Sequence, residues 1–243
     1  MKITLVADTP EEWEKISKLI GELGLKSSNI KLQIGPSLGS ERPVTQSRIS
    51  TSENMSPIPY LVGEKIYLAP FTRQHLESPQ YQRWLNDLEI TSNLGMLEYL
   101  MPVSFEQLES YFRQNAFSGH SVLFAVHEKK TNEFVGTAKL AHFNWLARHA
   151  EFGRVMGEKG ARGKGYGTEI IKLILDYCFQ TLNLNKVVAG TNDGNISALR
   201  TYEKFGFKIE GRIRQAWYKD GQMVDSIRVG LLREEWEAQR KLD

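Results

Sequence analysis

From Met1 to Ala7 apolar and polar positions alternate with period two, which predicts a strand. Thr9-Pro10-Glu11-Glu12 forms a capping box with proline at the first helical position. Trp13, Ile16, Leu19, Ile20 and Leu23 then recur on one helical face, and Gly24 suits the helix end. Ile30–Ile34 reads as a second strand. Residues 1–35 are therefore expected to form a small strand–helix–strand extension. It is too short to bury a core alone, so its apolar face needs a partner, either the rest of the chain or a second protomer in a homodimer. Across residues 36–59 Ser, Pro, Thr and Gln dominate, which predicts a partly disordered linker.

From Tyr60 onward the pattern is dense. Val62–Ala69 reads as a strand and Thr72–Leu85 as a helix. Ser104-Phe105-Glu106-Gln107 is a second capping box, opening a helix that carries Leu108, Tyr111 and Phe112. Ser121–Glu128 and Glu133–Phe143 predict a hairpin around Lys130-Thr131-Asn132. Ala150–Met156 is a further strand, followed by a glycine-rich loop and a helix from about Thr168 to Leu182. Lys186–Gly190 is a short apolar strand and Asn195–Lys204 a short helix. Phe207–Trp217 and Met223–Leu232 pair through the turn signal Asp220-Gly221. A hairpin run interrupted by helices points to an α+β fold, with a mixed, mostly antiparallel central sheet flanked by helices over residues 60–243.

Composition narrows the class. The 243 residues are 41% hydrophobic and 25% charged, as in ordinary globular proteins. A net charge of +2 gives no basic field for nucleic acid, and no apolar run reaches membrane-spanning length. Met1–Trp13 lacks the long apolar stretch of a secretory signal, so a cytoplasmic location is expected. The single cysteine, Cys178, excludes an internal disulfide and sits in an apolar helical pattern, where a buried inert thiol is expected. No metal-ligand spacing stands out.

The chemistry concentrates in Gly160-Ala161-Arg162-Gly163-Lys164-Gly165-Tyr166-Gly167-Thr168, between a strand and a helix. Glycines let successive N–H groups converge, and a helix N-terminus adds partial positive charge, so the segment suits a phosphate or pyrophosphate. Arg162 and Lys164 add formal charge. A Walker loop needs Ser or Thr straight after Gly-Lys, but Gly165 follows Lys164. A dinucleotide fingerprint needs a third glycine where Thr168 or Ile170 stands.

Arg162-Gly163-Lys164-Gly165-Tyr166-Gly167 resembles the pyrophosphate motif of the GNAT acetyltransferases, Q/R-x-x-G-x-G/A. Asn195–Phe207 is similar to that family's downstream segment N-x-x-A-x-x-x-Y-E-K-x-G-F. Gly63–Leu68, Trp84-Leu85-Asn86-Asp87 and Gly211–Trp236 resemble the subgroup that includes ribosomal-protein N-terminal acetyltransferases. The likeness runs from about Tyr60 to Trp236. It implies an acyltransferase moving acetyl from acetyl-CoA, as co-substrate, to a primary amine. An amino-sugar nucleotide or a protein N-terminus is the expected acceptor; polyamines and antibiotics are others in the subgroup. The alternative is a non-catalytic acetyl-CoA sensor with the N-terminal unit as its interaction module.

The resemblance also implies roles. Backbone groups of Val155, Met156 and Gly157 would contact the acetyl group and pantetheine arm. Arg162, Gly163, Lys164, Gly165, Tyr166, Gly167 and Thr168 would cradle the pyrophosphate. Asn195 would touch the cofactor or simply cap its helix. Tyr202 would protonate the departing thiolate or only pack at the helix end. Where some relatives carry a glutamate base, this chain has Gly190, so Glu151 becomes the candidate base and His142 a weaker one. Trp84, Asn86, Asp87 and Glu98 are expected near the acceptor, with core, turn and helix-end roles as the alternative.

Overall fold

A computed structural model describes residues 3–7, 30–34, 56–94, 101–116 and 120–241. Met1–Asn54 and Met55–Asp243 are separate compact units. In the first, β1 (Ile3–Ala7) pairs in parallel with β2 (Ile30–Ile34). The helix expected between them, most of the linker, and Glu98 lie outside the described residues.

The second unit is built on an eight-stranded sheet. In chain order its elements are β3 (Leu61–Val62), β4 (Ile66–Pro70), α1 (Arg73–Leu76), α2 (Pro79–Leu85), α3 (Leu88–Thr91), α4 (Phe105–Ala116), β5 (Val122–Glu128), β6 (Phe134–Asn144), β7 (His149–Met156), α5 (Tyr166–Asp176), β8 (Lys186–Asn192), α6 (Ile196–Lys204), β9 (Lys208–Lys219), β10 (Gln222–Leu232) and α7 (Arg233–Arg240). The sheet order is β3-β4-β5-β6-β7-β8-β10-β9. Only β7 and β8 run parallel; every other neighbouring pair is antiparallel. This is the mixed, mostly antiparallel α+β architecture expected from the pattern.

Local chemistry explains where elements begin and end. Asp220 and Gly221 both take positive φ (51° and 80°), the type I′ geometry that matches strand twist. The expected strand Val62–Ala69 instead breaks at a tight turn, in which the Gly63 N–H donates to the Ile66 carbonyl at 2.9 Å. The expected helix Thr72–Leu85 is two helices, because Pro79 cannot continue the first and serves as the opening residue of the second. The helix after the glycine loop begins at Tyr166, two residues earlier than expected, and widens into a π-turn at Tyr177–Thr181.

The period of two along β5 divides the core between the sheet faces. Phe124 and Val126 pack with Ile170, Ile171, Ile174 and Phe179. Leu123 and Ala125 pack with Phe71, Leu76, Trp84 and Leu108. Cys178 is fully buried in the first group, and burial pushes its thiol far above the ordinary range, so it is an inert core residue.

His75 and His127 meet in the second core at 3.0 Å between their Nε2 atoms. His75 Nδ1 accepts from the Thr72 N–H at 3.0 Å, and His127 Nδ1 donates to the Asn132 carbonyl at 3.0 Å. The bridging proton therefore belongs to His75 Nε2, and both rings are neutral. Burial, then the neighbouring His127, pulls His75 down to about 4; burial also lowers His127. The unfolded chain binds more protons than the native one from ~6.5 down to about 4, where native His75 titrates, so stability is full above ~6.5 and falls as the pH drops toward 4. We expect about 2 kcal/mol to be lost through His75 by pH 5. Denaturant unfolding from pH 7 to pH 5 checks this, in a range above the usual carboxylate titrations; a flat profile would contradict it.

Candidate active site

Strands β7 and β8 pair only at His149↔Lys186, Ala150↔Val187 and Glu151↔Val188. Beyond Glu151 they diverge, while β7 stays paired to β6 as far as Met156↔Gly136. One edge of β7 is thus released from the sheet, and a cavity of about 770 Å³ opens there. Phe152–Met156 line it from β7, Gly190 and Thr191 from β8, and Asn195 and Tyr202 from α6. The glycine loop closes one end.

Gly163 and Gly165 hold positive φ (77° and 86°), a backbone region that strongly favours glycine. Gly165 is the N-cap of α5, so the first N–H groups of that helix are free of intrahelical partners. The loop is pinned from behind. Buried Tyr166 donates its hydroxyl to Glu128, Glu169 accepts from the Lys65 N–H at 3.0 Å, and Lys65 Nζ donates to the Lys164 carbonyl at 3.2 Å. Lys164 turns away from the cavity, with its Nζ 3.8 Å from Glu128. Arg162 lines the cavity and pairs with Glu89 on α3. Lys159 pairs with the same carboxylate at 2.6 Å, and these two contacts hold Glu89 below the usual carboxylate range, Lys159 contributing most.

Tyr202 projects from α6 with 5% of its surface exposed. Its ring packs on Phe207 at 5.2 Å and beneath the Arg154 guanidinium at 6.0 Å. Burial raises its phenol; Arg154 pulls the other way. Its hydroxyl has no hydrogen-bond partner among the described residues. Asn195 caps α6, accepting from the Ala198 N–H at 3.3 Å, and also lines the cavity, so the two alternatives for it coincide.

Glu151 stands where the strands begin to part. Arg228 Nη1 donates to one oxygen at 2.9 Å, and His142 Nδ1 lies 2.9 Å from the other. Burial alone would raise this carboxyl, but Arg228 and His142 outweigh it and leave the group below its ordinary range. It is therefore a carboxylate at neutral pH. His142, mostly solvent-exposed on the β6 bulge, links Glu151 to bulk water.

Of the expected acceptor residues, Trp84, Asn86 and Asp87 do not line the cavity. Trp84 is buried, its indole N–H donates to Glu158 at 3.0 Å, and its ring fills the space that a Cβ on Gly157 would occupy. Gly157 is consequently sealed against Trp84 and does not line the cavity. Asn86 ties α2 to Val103 through both backbone groups of that residue, and Asp87 caps α3. The wall is made instead by their neighbours Leu85, Glu89, Ile90, Asn93 and Leu94. Sequence reasoning also missed Arg154 and Lys139. Lys139 interrupts an otherwise buried run of β6, and that interruption was the available signal; Arg154 sits among partly exposed residues at the end of β7, where no such signal exists.

Arg154 Nη1 and Thr191 Oγ1 are buried without hydrogen-bond partners, on the two lips of the split. Orphaned polar groups on the two strands that border the cavity, next to a helix N-terminus, fit a ligand with an amide-bearing arm and a phosphate group, as coenzyme A has. Among the described residues no cluster of His, Cys, Asp or Glu could hold a metal, and no helix is long and apolar enough to cross a membrane.

Comparison with known proteins agrees. The model of the acetyltransferase (GNAT) domain matches residues 65–208. The spermidine N(1)-acetyltransferase of Escherichia coli K12 is 30% identical over 187 residues, covering 74% of this chain and 92% of that protein. The Vibrio cholerae spermidine N(1)-acetyltransferase is 27% identical over 155 residues, 63% of this chain and 88% of that protein. A crystal structure of spermidine N-acetyltransferase from Vibrio cholerae in complex with CoA and spermine superposes with a TM-score of 0.65 at 25% identity, covering 72% of this chain and 99% of the other. These relatives are named for spermidine, while a putative ribosomal N-acetyltransferase of Bacillus subtilis is 31% identical over only 105 residues, 43% of this chain and 57% of that protein. The chain belongs to the GNAT family of acetyltransferases and is an acyltransferase that uses acetyl-CoA as its co-substrate.

Proposed function

We propose that the protein acetylates a primary amine of a small polycation of the polyamine class. The observation that carries this reading is the ionised Glu151, set in the cavity wall where the strands part. A carboxylate there attracts an alkylammonium group. Through His142 it offers a route for the ammonium proton to reach solvent, so that a neutral amine can attack the thioester carbonyl. As the carbon–nitrogen bond forms and the carbon–sulfur bond breaks, Tyr202 gives its hydroxyl proton to the departing sulfur. The relatives named above for spermidine support this reading.

Lys139 favours a second reading. It lies half-buried in the same wall, donating to the Tyr111 hydroxyl at 2.9 Å. A cation there disfavours a polycation and suits an amine carried on an anionic molecule, such as an amino-sugar nucleotide. Measuring kcat/KM for spermidine, an amino-sugar nucleotide and a peptide N-terminus separates the readings: spermidine should be preferred, and preference for the nucleotide would overturn the polyamine reading. Glu151→Gln keeps the shape and removes the charge. It should lower kcat/KM for the preferred amine by roughly 10²-fold; an unchanged value would remove Glu151 from the mechanism.

A further inference from the structure

The loop's own cations are already engaged, Arg162 by Glu89 and Lys164 toward Glu128. Arg154 is not. It projects from β7, opposite Ala138 of β6, and its sole electrostatic partner among the described residues is the ring and hydroxyl of Tyr202. Its Nη1 is sealed from solvent with no acceptor, while the residue as a whole still borders the cavity. The guanidinium lies under the first turn of α5: a Cβ on Gly167 would sit 3.4 Å from its Nε. A full positive charge and the positive end of a helix thus converge on one place with no anion between them. That arrangement is unfavourable in the empty protein and becomes favourable when a multiply charged anion arrives.

We infer that Arg154 binds the pyrophosphate of acetyl-CoA from the sheet side of the loop, opposite the backbone N–H groups of the glycine turn. A side chain at this position is outside the loop motif, so the chain holds its cofactor from two sides.

The test compares coenzyme A with 3′-phosphoadenosine 5′-diphosphate, its nucleotide half, which keeps the pyrophosphate and lacks the thiol arm. In Arg154→Met both dissociation constants, measured by calorimetry, should weaken by the same factor. Loss of a buried charge-assisted contact predicts roughly 10- to 100-fold. The melting temperature of the unliganded variant should not fall, because an uncompensated buried charge has been removed. Unchanged affinity for either ligand overturns the inference. So does weakened coenzyme A binding with the nucleotide half unaffected, which would put Arg154 at the thioester end. Should the apolar variant not fold, Arg154→Gln keeps a polar side chain of similar length, and the same two affinities decide. The readout involves no acceptor amine and is independent of which one the enzyme uses.

Discussion

Tyr202→Phe should slow acetyl transfer by roughly 10²–10⁴ in kcat, the usual effect of losing a general acid. Melting temperature and acetyl-CoA affinity should stay near those of the unaltered protein. The ring contacts with Phe207 and Arg154 survive the change. The hydroxyl has no hydrogen-bond partner among the described residues, so its removal orphans no buried group. Burial keeps the phenol protonated at neutral pH, ready to donate only when negative charge reaches the sulfur. Because that need arises in the transition state, the loss should fall on kcat more than on KM. Single-turnover kinetics, beside a melting curve and a binding isotherm, check this. An unchanged chemical step in a folded, cofactor-binding variant removes Tyr202 from the mechanism.

Gly165→Val should abolish tight cofactor binding while the fold persists. A Cβ at this position has room, its nearest neighbour being Lys65 Nζ at 3.6 Å. The damage is conformational: at φ 86° a β-branched residue is severely strained. Strain of ~1–3 kcal/mol is relieved by rotating the backbone, which swings the N–H groups at the start of α5 out of convergence. Calorimetry should show affinity for acetyl-CoA reduced by about 10- to 100-fold or more. Affinity within a factor of two of the unaltered protein would disprove the loop's role.

The features legible in the sequence are those fixed by local chemistry. Asp220-Gly221 announces a hairpin because few residues tolerate two successive positive φ values. Gly163 and Gly165 announce an anion loop because each stands at a positive-φ position that favours glycine. Asn195 and Tyr202 follow from a short segment that is itself one helix. Features that depend on distant strands were hidden. Trp84 could not be assigned to packing without knowing that Gly157 leaves a hole for its ring. Glu151 draws its charge state from Arg228, seventy-seven positions away. Arg154 acquires meaning only because β8 departs from β7 at Glu151, an event that neither strand's sequence records. The break at Pro79 was missed because the helical period on either side of it masked the proline.

Release of free thiol from acetyl-CoA, followed with and without a primary amine, tests the central claim most directly. Amine-dependent release, with one acetylated amine formed for each thiol, is the predicted result. Tight acetyl-CoA binding with no amine-dependent release, across polyamines, amino-sugar nucleotides and peptide N-termini, would contradict catalysis and leave a protein that only senses acetyl-CoA.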